Sequence, residues 1–166
     1  SAQFGGFNFL RQTTLNFAKS EASGIDFAVK YQFEIGANGF DISAQGTKVN
    51  DLDFFENPLD LSVRNPELFE ISRPDLAGNV FLTWSIGDLQ VGWQAQYIDE
   101  ELFGGIEAET ALTLYGSTVF QEALCLHDMN ARYLLNDEIM IYGGIKNITD
   151  EKPYITENAF PASPRG

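Results

Sequence analysis

The stretch "GIDFAVKYQFE", residues 24–34, decides the fold. Ile25, Phe27, Val29, Tyr31 and Phe33 occupy one set of alternate positions, and Asp26, Ala28, Lys30, Gln32 and Glu34 the other. Successive side chains of a strand point to opposite sides of its sheet. The alternation therefore predicts a strand with one apolar and one polar face. Residues 89–97, "LQVGWQAQY", repeat the pattern: Leu89, Val91, Trp93, Ala95 and Tyr97 against Gln90, Gly92, Gln94 and Gln96. In "NVFLTWS" (79–85), Val80, Leu82 and Trp84 share a side. In "DMNARYLL" (128–135), Met129, Ala131 and Tyr133 oppose Asp128, Asn130 and Arg132, while "EIMIYGGIK" (138–146) is more apolar throughout.

Short turn signals join these runs in pairs. Asn38-Gly39 is the strongest hairpin signal, followed by Gly87-Asp88 and Asn136-Asp137. Long acidic stretches separate the pairs. Residues 51–78 contain Pro58, Pro66 and Pro74, and residues 99–122 open with "DEELFGGIEAE". The expected strands are 12–34, 39–50, 79–86, 88–98, 123–135 and 138–146, the first kinked around Ser20–Gly24. Residues 1–11 leave room for the end of a further strand, and 107–116 read as a strand or a loop extension. No amphipathic helix, internal repeat or linker is expected, so residues 1–166 form one all-β unit, an antiparallel up-and-down meander.

The chain carries 24 acidic against 10 basic residues, a formal charge of −14. Phosphate binding needs clustered lysine and arginine, so no nucleic-acid partner is expected. The single cysteine, Cys125, excludes an internal disulfide. No apolar run is long enough for a transmembrane helix, which leaves transmembrane strands untouched.

Catalytic signatures are missing. There is one histidine, His127, and no nucleophile elbow, P-loop or dinucleotide-binding glycine motif. No catalytic residue, metal or cofactor is expected, and the chain is not read as an enzyme. Cys125 and His127 lie two apart on one strand and could reach one ion, but a closed site needs more ligands, and strand packing explains them better. The acid pairs Asp51 with Asp53 and Glu100 with Glu101 lie in acidic loops, where a solvated surface is the simpler reading than a glycosidase pair or a cation site. Asn147-Ile148-Thr149 matches a glycosylation sequon, though a turn in which Asn147 bonds the backbone is preferred.

The closing stretch, "YGGIKNITDEKPYITENAFPASPRG", closely resembles the penultimate strand and last loop of TonB-dependent outer-membrane receptors. The match is carried by Gly144, Ile145, Asn147, Ile148 and Asp150, then Ser163, Pro164, Arg165 and Gly166. Upstream, Asn16, Ser23, Gly24, Ile25 and Asp26 resemble another strand motif of the family, and residues 127–147 resemble its last hairpin. The resemblance implies a segment of a 22-stranded transmembrane β-barrel in the bacterial outer membrane, with the plug domain and the final strand outside this chain. It places every tight turn in the periplasm and both long segments outside the cell. It implies TonB-dependent uptake of a small-molecule nutrient such as a ferric siderophore, with the receptor's own plug, TonB and outer-membrane lipid as partners. Asp26, Lys30, Gln32, Gln90, Gln94, Gln96, Asp128, Asn130 and Arg132 would then face the lumen. Ligand contacts would come from the loop aromatics Phe54, Phe55, Phe103, Tyr115 and Phe120, whose rings can stack on sugars or flat chelating groups. The alternative from the residues alone is a soluble all-β binding module, such as a carbohydrate-binding sandwich, whose apolar faces pack on one another.

Overall fold

The computed structural model describes residues 18–57, 59–102 and 107–152. In chain order these form β1 (Lys19–Ile35), β2 (Asn38–Phe55), β3 (Asn65–Pro66), β4 (Leu76–Ile86), β5 (Leu89–Ile98) and β6 (Glu101–Leu102). Helix α1 (Ala108–Tyr115), a 3-10 turn (Gly116–Val119), β7 (Phe120–Gln121), β8 (Leu124–Asn136) and β9 (Ile139–Ile145) follow. The long strands are ordered β1-β2-β4-β5-β8-β9, all antiparallel. Short β3 lies against β2, while β6 and β7 form a separate two-stranded sheet. The chain is thus mostly antiparallel β, as the alternation predicts. Among the described residues the main sheet is open, and β1 and β9 are each bonded on one side only.

Register fuses the six alternating patterns. Phe33, Phe40, Trp84, Val91, Ala131 and Gly143 stand directly opposite one another across the sheet. The next row reads Gln32, Asp41, Thr83, Gly92, Asn130 and Gly144. Residues directly opposite share a side, so one face is apolar across all six strands and the other is mainly polar. A register slip of one residue would exchange the faces.

No described residue forms a second layer over the apolar face. Ile25, Val29, Ile141 and Ile145 remain between 58% and 66% exposed. Covering half a dozen such side chains is worth roughly 10 kcal/mol, as much as a whole domain's stability. The buried residues Leu102, Ala108 and Ala111 instead form a small core among the long connections.

The turns differ in detail from expectation. The first hairpin turns at Gly36–Ala37 rather than Asn38–Gly39, because Ile35 pairs with Asn38 and Gly36 takes a left-handed φ of +62°. Asn38 buttresses the turn instead. Its Nδ2 donates to the Ile35 carbonyl (3.2 Å), and its Oδ1 accepts the Trp84 indole N–H (2.9 Å). The 87–88 turn is where the sequence places it, with Gly87 at φ +52°. The last hairpin turns at 137–138, one residue late, since Asn136 precedes the turn and accepts the N–H groups of Glu138 (3.0 Å) and Ile139 (2.9 Å).

Strand limits also shift. β2 continues past residue 50 to Phe55. Ser23 pairs with Asp51 and Gly24 with Val49, leaving Asn50 as an extra residue. This bulge coincides with the expected kink at Ser20–Gly24. Residues 1–17, including the start of the expected first strand, lie outside the described residues.

The reading of 107–116 as strand or loop is corrected: residues 108–115 are α1. Leu112 and Leu114 alternate as in a strand, but the side chains that the segment buries are Ala108 and Ala111. That spacing fits one helical turn, and alanine is the best helix former. Gly116 ends the helix, its N–H returning to the Leu112 carbonyl.

The first two turns are level, since Asn38 faces Ile86, but the last hairpin is offset from them. Leu89, beside the 87–88 turn, faces Tyr133, yet β8 runs on to Asn136 before it turns. At the opposite end β2 passes Lys48, its last partner of β4, and continues to Phe55. Both offsets run in the same sense across the sheet.

Candidate functional site

The two long connections, 56–75 and 99–123, leave the sheet at the end opposite the tight turns and pack on each other. The Leu102 N–H donates to the Phe69 carbonyl (2.7 Å). The Phe69 ring meets Phe120 edge-on at 5.9 Å and 89°. Phe69 holds a left-handed φ of +72°, as does Ser72 at +64°. Such backbone in a bulky residue persists only when the surroundings over-determine it. Here Phe69 N–H bonds the Arg73 carbonyl (2.9 Å) and Arg73 N–H the Glu70 carbonyl (2.8 Å). The Arg73 guanidinium bridges Glu67 (3.0 Å) and Glu70 (2.7 Å). Burial and the nearby Glu107 carboxylate push the Glu70 carboxyl above its ordinary range, against the pull of Arg73. Buried Glu101 accepts the Gln121 amide (3.1 Å), tying β6 to β7.

A polar network joins these loops to the sheet. Lys48 pairs with Asp75, Val49 N–H donates to the Asp75 carbonyl (2.7 Å), and Asp99 N–H to the Leu76 carbonyl (2.9 Å). The Tyr97 hydroxyl donates to Asp99 Oδ1 (2.9 Å). Burial opposes ionisation of Asp99, but the Glu100 N–H and the Tyr97 hydroxyl outweigh it and hold the carboxyl below the usual range. Lys48 and Tyr97 sit in the apolar-face register, so this network closes the apolar band at the loop end. Toward the tight turns the same face carries aromatics. Phe33 stacks on Phe40 (4.9 Å, 12°), Tyr31 lies 5.4 Å from Phe33, and Trp84 is opposite Phe40.

The expected ligand aromatics do not converge. Phe55 is buried, with the Lys19 ammonium 5.6 Å above its ring. Phe54 is half-buried, paired with Ser20 and Asn65. Phe120 belongs to the loop core, and Tyr115 is 56% exposed at the end of α1. Phe103 lies outside the described residues.

Register puts Asp26, Lys30, Gln32, Gln90, Gln94, Gln96, Asp128, Asn130 and Arg132 together on the polar face. Thr47 Oγ1 donates to Asp26 (2.6 Å), Asp41 receives both Lys30 (3.4 Å) and Gln32, and Asp128 accepts the Asn147 N–H (2.8 Å). The Asn130 side chain lies across Gly92, where an added β-carbon would be 2.8 Å from its Oδ1.

Of the motif residues, Gly24 meets the Lys48 carbonyl and tolerates no β-carbon without a shift. Asn147, at φ +50°, accepts the Glu151 N–H (2.9 Å) through Oδ1 and donates to the Glu151 carbonyl (2.9 Å) through Nδ2. Its side chain is therefore a turn clamp. Asp150 also takes a left-handed φ, +51°. Pro164, Arg165 and Gly166 lie outside the described residues. Cys125 Sγ is 3.5 Å from His127 Nε2, and His127 stacks on Trp93 at 5.6 Å. No group of three or more metal-ligating side chains occurs among the described residues. The acids of the Asp51–Asp53 pair have separate partners, Ser23 Oγ (2.9 Å) and Arg64 (3.2 Å).

Sequence reasoning missed Phe69, Leu102 and Arg73, on which the loop assembly turns. One signal was present: Arg64 and Arg73 are the only bases in two acidic connections, and each holds acids of its own neighbourhood. No protein-family model matches the chain, and neither does any curated protein or solved structure.

Proposed function

We propose that the chain is part of the barrel wall of a TonB-dependent outer-membrane receptor, a segment of a 22-stranded barrel that serves energised uptake of a nutrient such as a ferric siderophore. The observation that carries this reading is the single-layer sheet whose apolar face runs unbroken across six strands with no described residue covering it. Lipid would cover it. Strand length supports the reading: β4 has 11 residues and β5 has 10, against about 9–11 for a tilted strand crossing a bilayer. The offset of the last hairpin from the first two agrees, since a sheet that closes into a barrel needs a staggered register. So does the asymmetry of connections, with tight turns at one end and long acidic loops at the other.

In this role the polar face lines the lumen against the plug, and TonB acts on the plug from the periplasm. The loop assembly faces the medium, with Tyr115 the open ring among the described ligand candidates. A soluble binding module would need a further layer over the apolar face, supplied by a second copy.

The test is fractionation of the full-length protein from a bacterial host. It should sediment with outer membranes, resist carbonate extraction and migrate faster on gels unheated than boiled. A chain that stays monomeric in detergent-free buffer and melts cooperatively would overturn the proposal.

A further inference from the structure

Phe81 breaks the pattern of its face. Its neighbours Val80 and Leu82 lie on the apolar side of β4, while Phe81 stands on the polar side and is 36% exposed. Register sets Ser43 and Gln94 directly opposite it on β2 and β5. Along β4 its same-face neighbours are Asn79 and Thr83, and Asn79 stands between Gln45 and Gln96. Adjacent strands lie about 4.8 Å apart, and same-face residues of one strand roughly 7 Å apart. One flat ring is therefore surrounded by hydrogen-bonding side chains at close spacing. The carboxamides of Gln45, Asn79, Gln94 and Gln96 form no hydrogen bond among the described residues.

Charge is absent from this patch. The nearest carboxylates already have partners: Asp41 holds Lys30 and Gln32, and Asp128 accepts the Asn147 N–H. Lys30, the nearest cation, is the one paired with Asp41. An anionic ligand would find no free cation here, and a metal ion no free carboxylate. What remains is a set of groups that donate and accept at once, arranged around an apolar ring. A hydroxyl group also donates and accepts, and a sugar ring has an apolar C–H face with hydroxyls around its rim. A peptide offers its amides along a line, whereas these carboxamides are spread in two dimensions. Beside Phe81 lies a hollow of about 100 Å³, lined on this face also by Thr83, Gln90, Gln94 and Asn130. Whole-ligand pockets run to roughly 300–1,000 Å³, so the hollow takes the edge of a ligand whose body lies on the open sheet.

We infer that this patch binds a neutral saccharide. Phe81 stacks on one sugar ring, Gln94 and Asn79 hold the hydroxyls at its rim, and Gln45 and Gln96 extend the contact to a second ring. The inference needs only the polar face, and holds whether lipid or a further protein layer covers the apolar one.

The experiment is isothermal titration calorimetry of the full-length protein in dimethyldodecylamine oxide, a detergent without sugar. The probes are maltohexaose, cellohexaose and xylohexaose, with hexagalacturonate as the charged counterpart. At least one neutral probe should bind, and hexagalacturonate should bind at least tenfold more weakly. Phe81→Ala should weaken the neutral complex roughly tenfold, and Phe81→Tyr should retain it. Gln94→Leu keeps the bulk of the side chain and removes its polar groups, and should weaken the complex several-fold. A thermal melt of each variant shows that it is folded. Binding of no neutral probe would overturn the site, as would affinity indifferent to both Phe81→Ala and Gln94→Leu, or equal affinity for hexagalacturonate. Gel mobility of the unsubstituted protein tests the barrel reading separately, since a missing heat-dependent shift would refute the barrel and leave the saccharide site standing.

Discussion

The carbonyl oxygen of Lys48 occupies the space a β-carbon on Gly24 would need; the two would be 2.5 Å apart. The obstacle is backbone, and the bulge at Asn50 sits beside it. Gly24→Ala should therefore spread β1 from β2 and destabilise the fold by about 1–3 kcal/mol. Gly143→Ala is the control, since nothing lies within 4 Å of its added β-carbon. Urea titration of the refolded protein in detergent measures both, and equal midpoints would contradict the register at Gly24.

Leu82 and Thr83 are neighbours in sequence on opposite faces of β4. If lipid covers the apolar face, Leu82→Arg should cost about 2–4 kcal/mol near the membrane midplane. Thr83→Arg should be tolerated, because it joins Gln32, Asp41 and Asn130 on the polar side. The fraction of folded, fast-migrating band on unheated gels reads the difference. Equal effects would argue that water, not lipid, bathes both faces.

The sheet was legible in the sequence because its alternation is local. Each of "GIDFAVKYQFE" and "LQVGWQAQY" declares two faces without help from distant residues, and antiparallel register then sums them. The first turn was misplaced because "GANG" offers two glycines with turn character. Trp84, 46 residues from Asn38, settles that Asn38 braces the turn rather than forming it. Helix α1 was hidden for a related reason. Leu112 and Leu114 mimic a strand, while what fixes the helix is burial of Ala108 and Ala111 against Leu102 and Phe69 from elsewhere in the loops. Long-range contacts of this kind leave no period to read. Alternation assigns the polar-face residues strand by strand, and only the register sets them side by side across the sheet.

Glu70 should make the loop assembly pH-sensitive. Burial first, then Glu107, raises its carboxyl above the reference value of 4.5. The folded loop thus binds a proton more tightly than the unfolded loop does. Stability from this group is fully present below 4.5 and is lost as pH rises through the elevated value. Protection of the amides at residues 69–73, taken relative to the base-catalysed intrinsic rate, should fall across that interval, and Glu70→Gln should flatten the dependence. Protection that grows with rising pH would reverse the sign and refute the assignment.

Asn147 grips Glu151 through two hydrogen bonds while its backbone N–H reaches Asp128. Asn147→Ala should lose the clamp and strain the φ of +50°, costing about 1–2 kcal/mol. Asn147→Gly relieves the strain but not the clamp, so its effect should be smaller. Protease cutting around residues 148–152 reports both. If alanine and glycine behave alike, backbone conformation plays no part.

The two margins of the meander bear on how such a wall enters a membrane. Among the described residues no strand bonds the outer side of β1 or of β9, and acyl chains supply no acceptors or donors. On the proposed reading, hairpins cannot be threaded into hydrocarbon one at a time. Each edge would have to meet its neighbouring strand before it meets hydrocarbon.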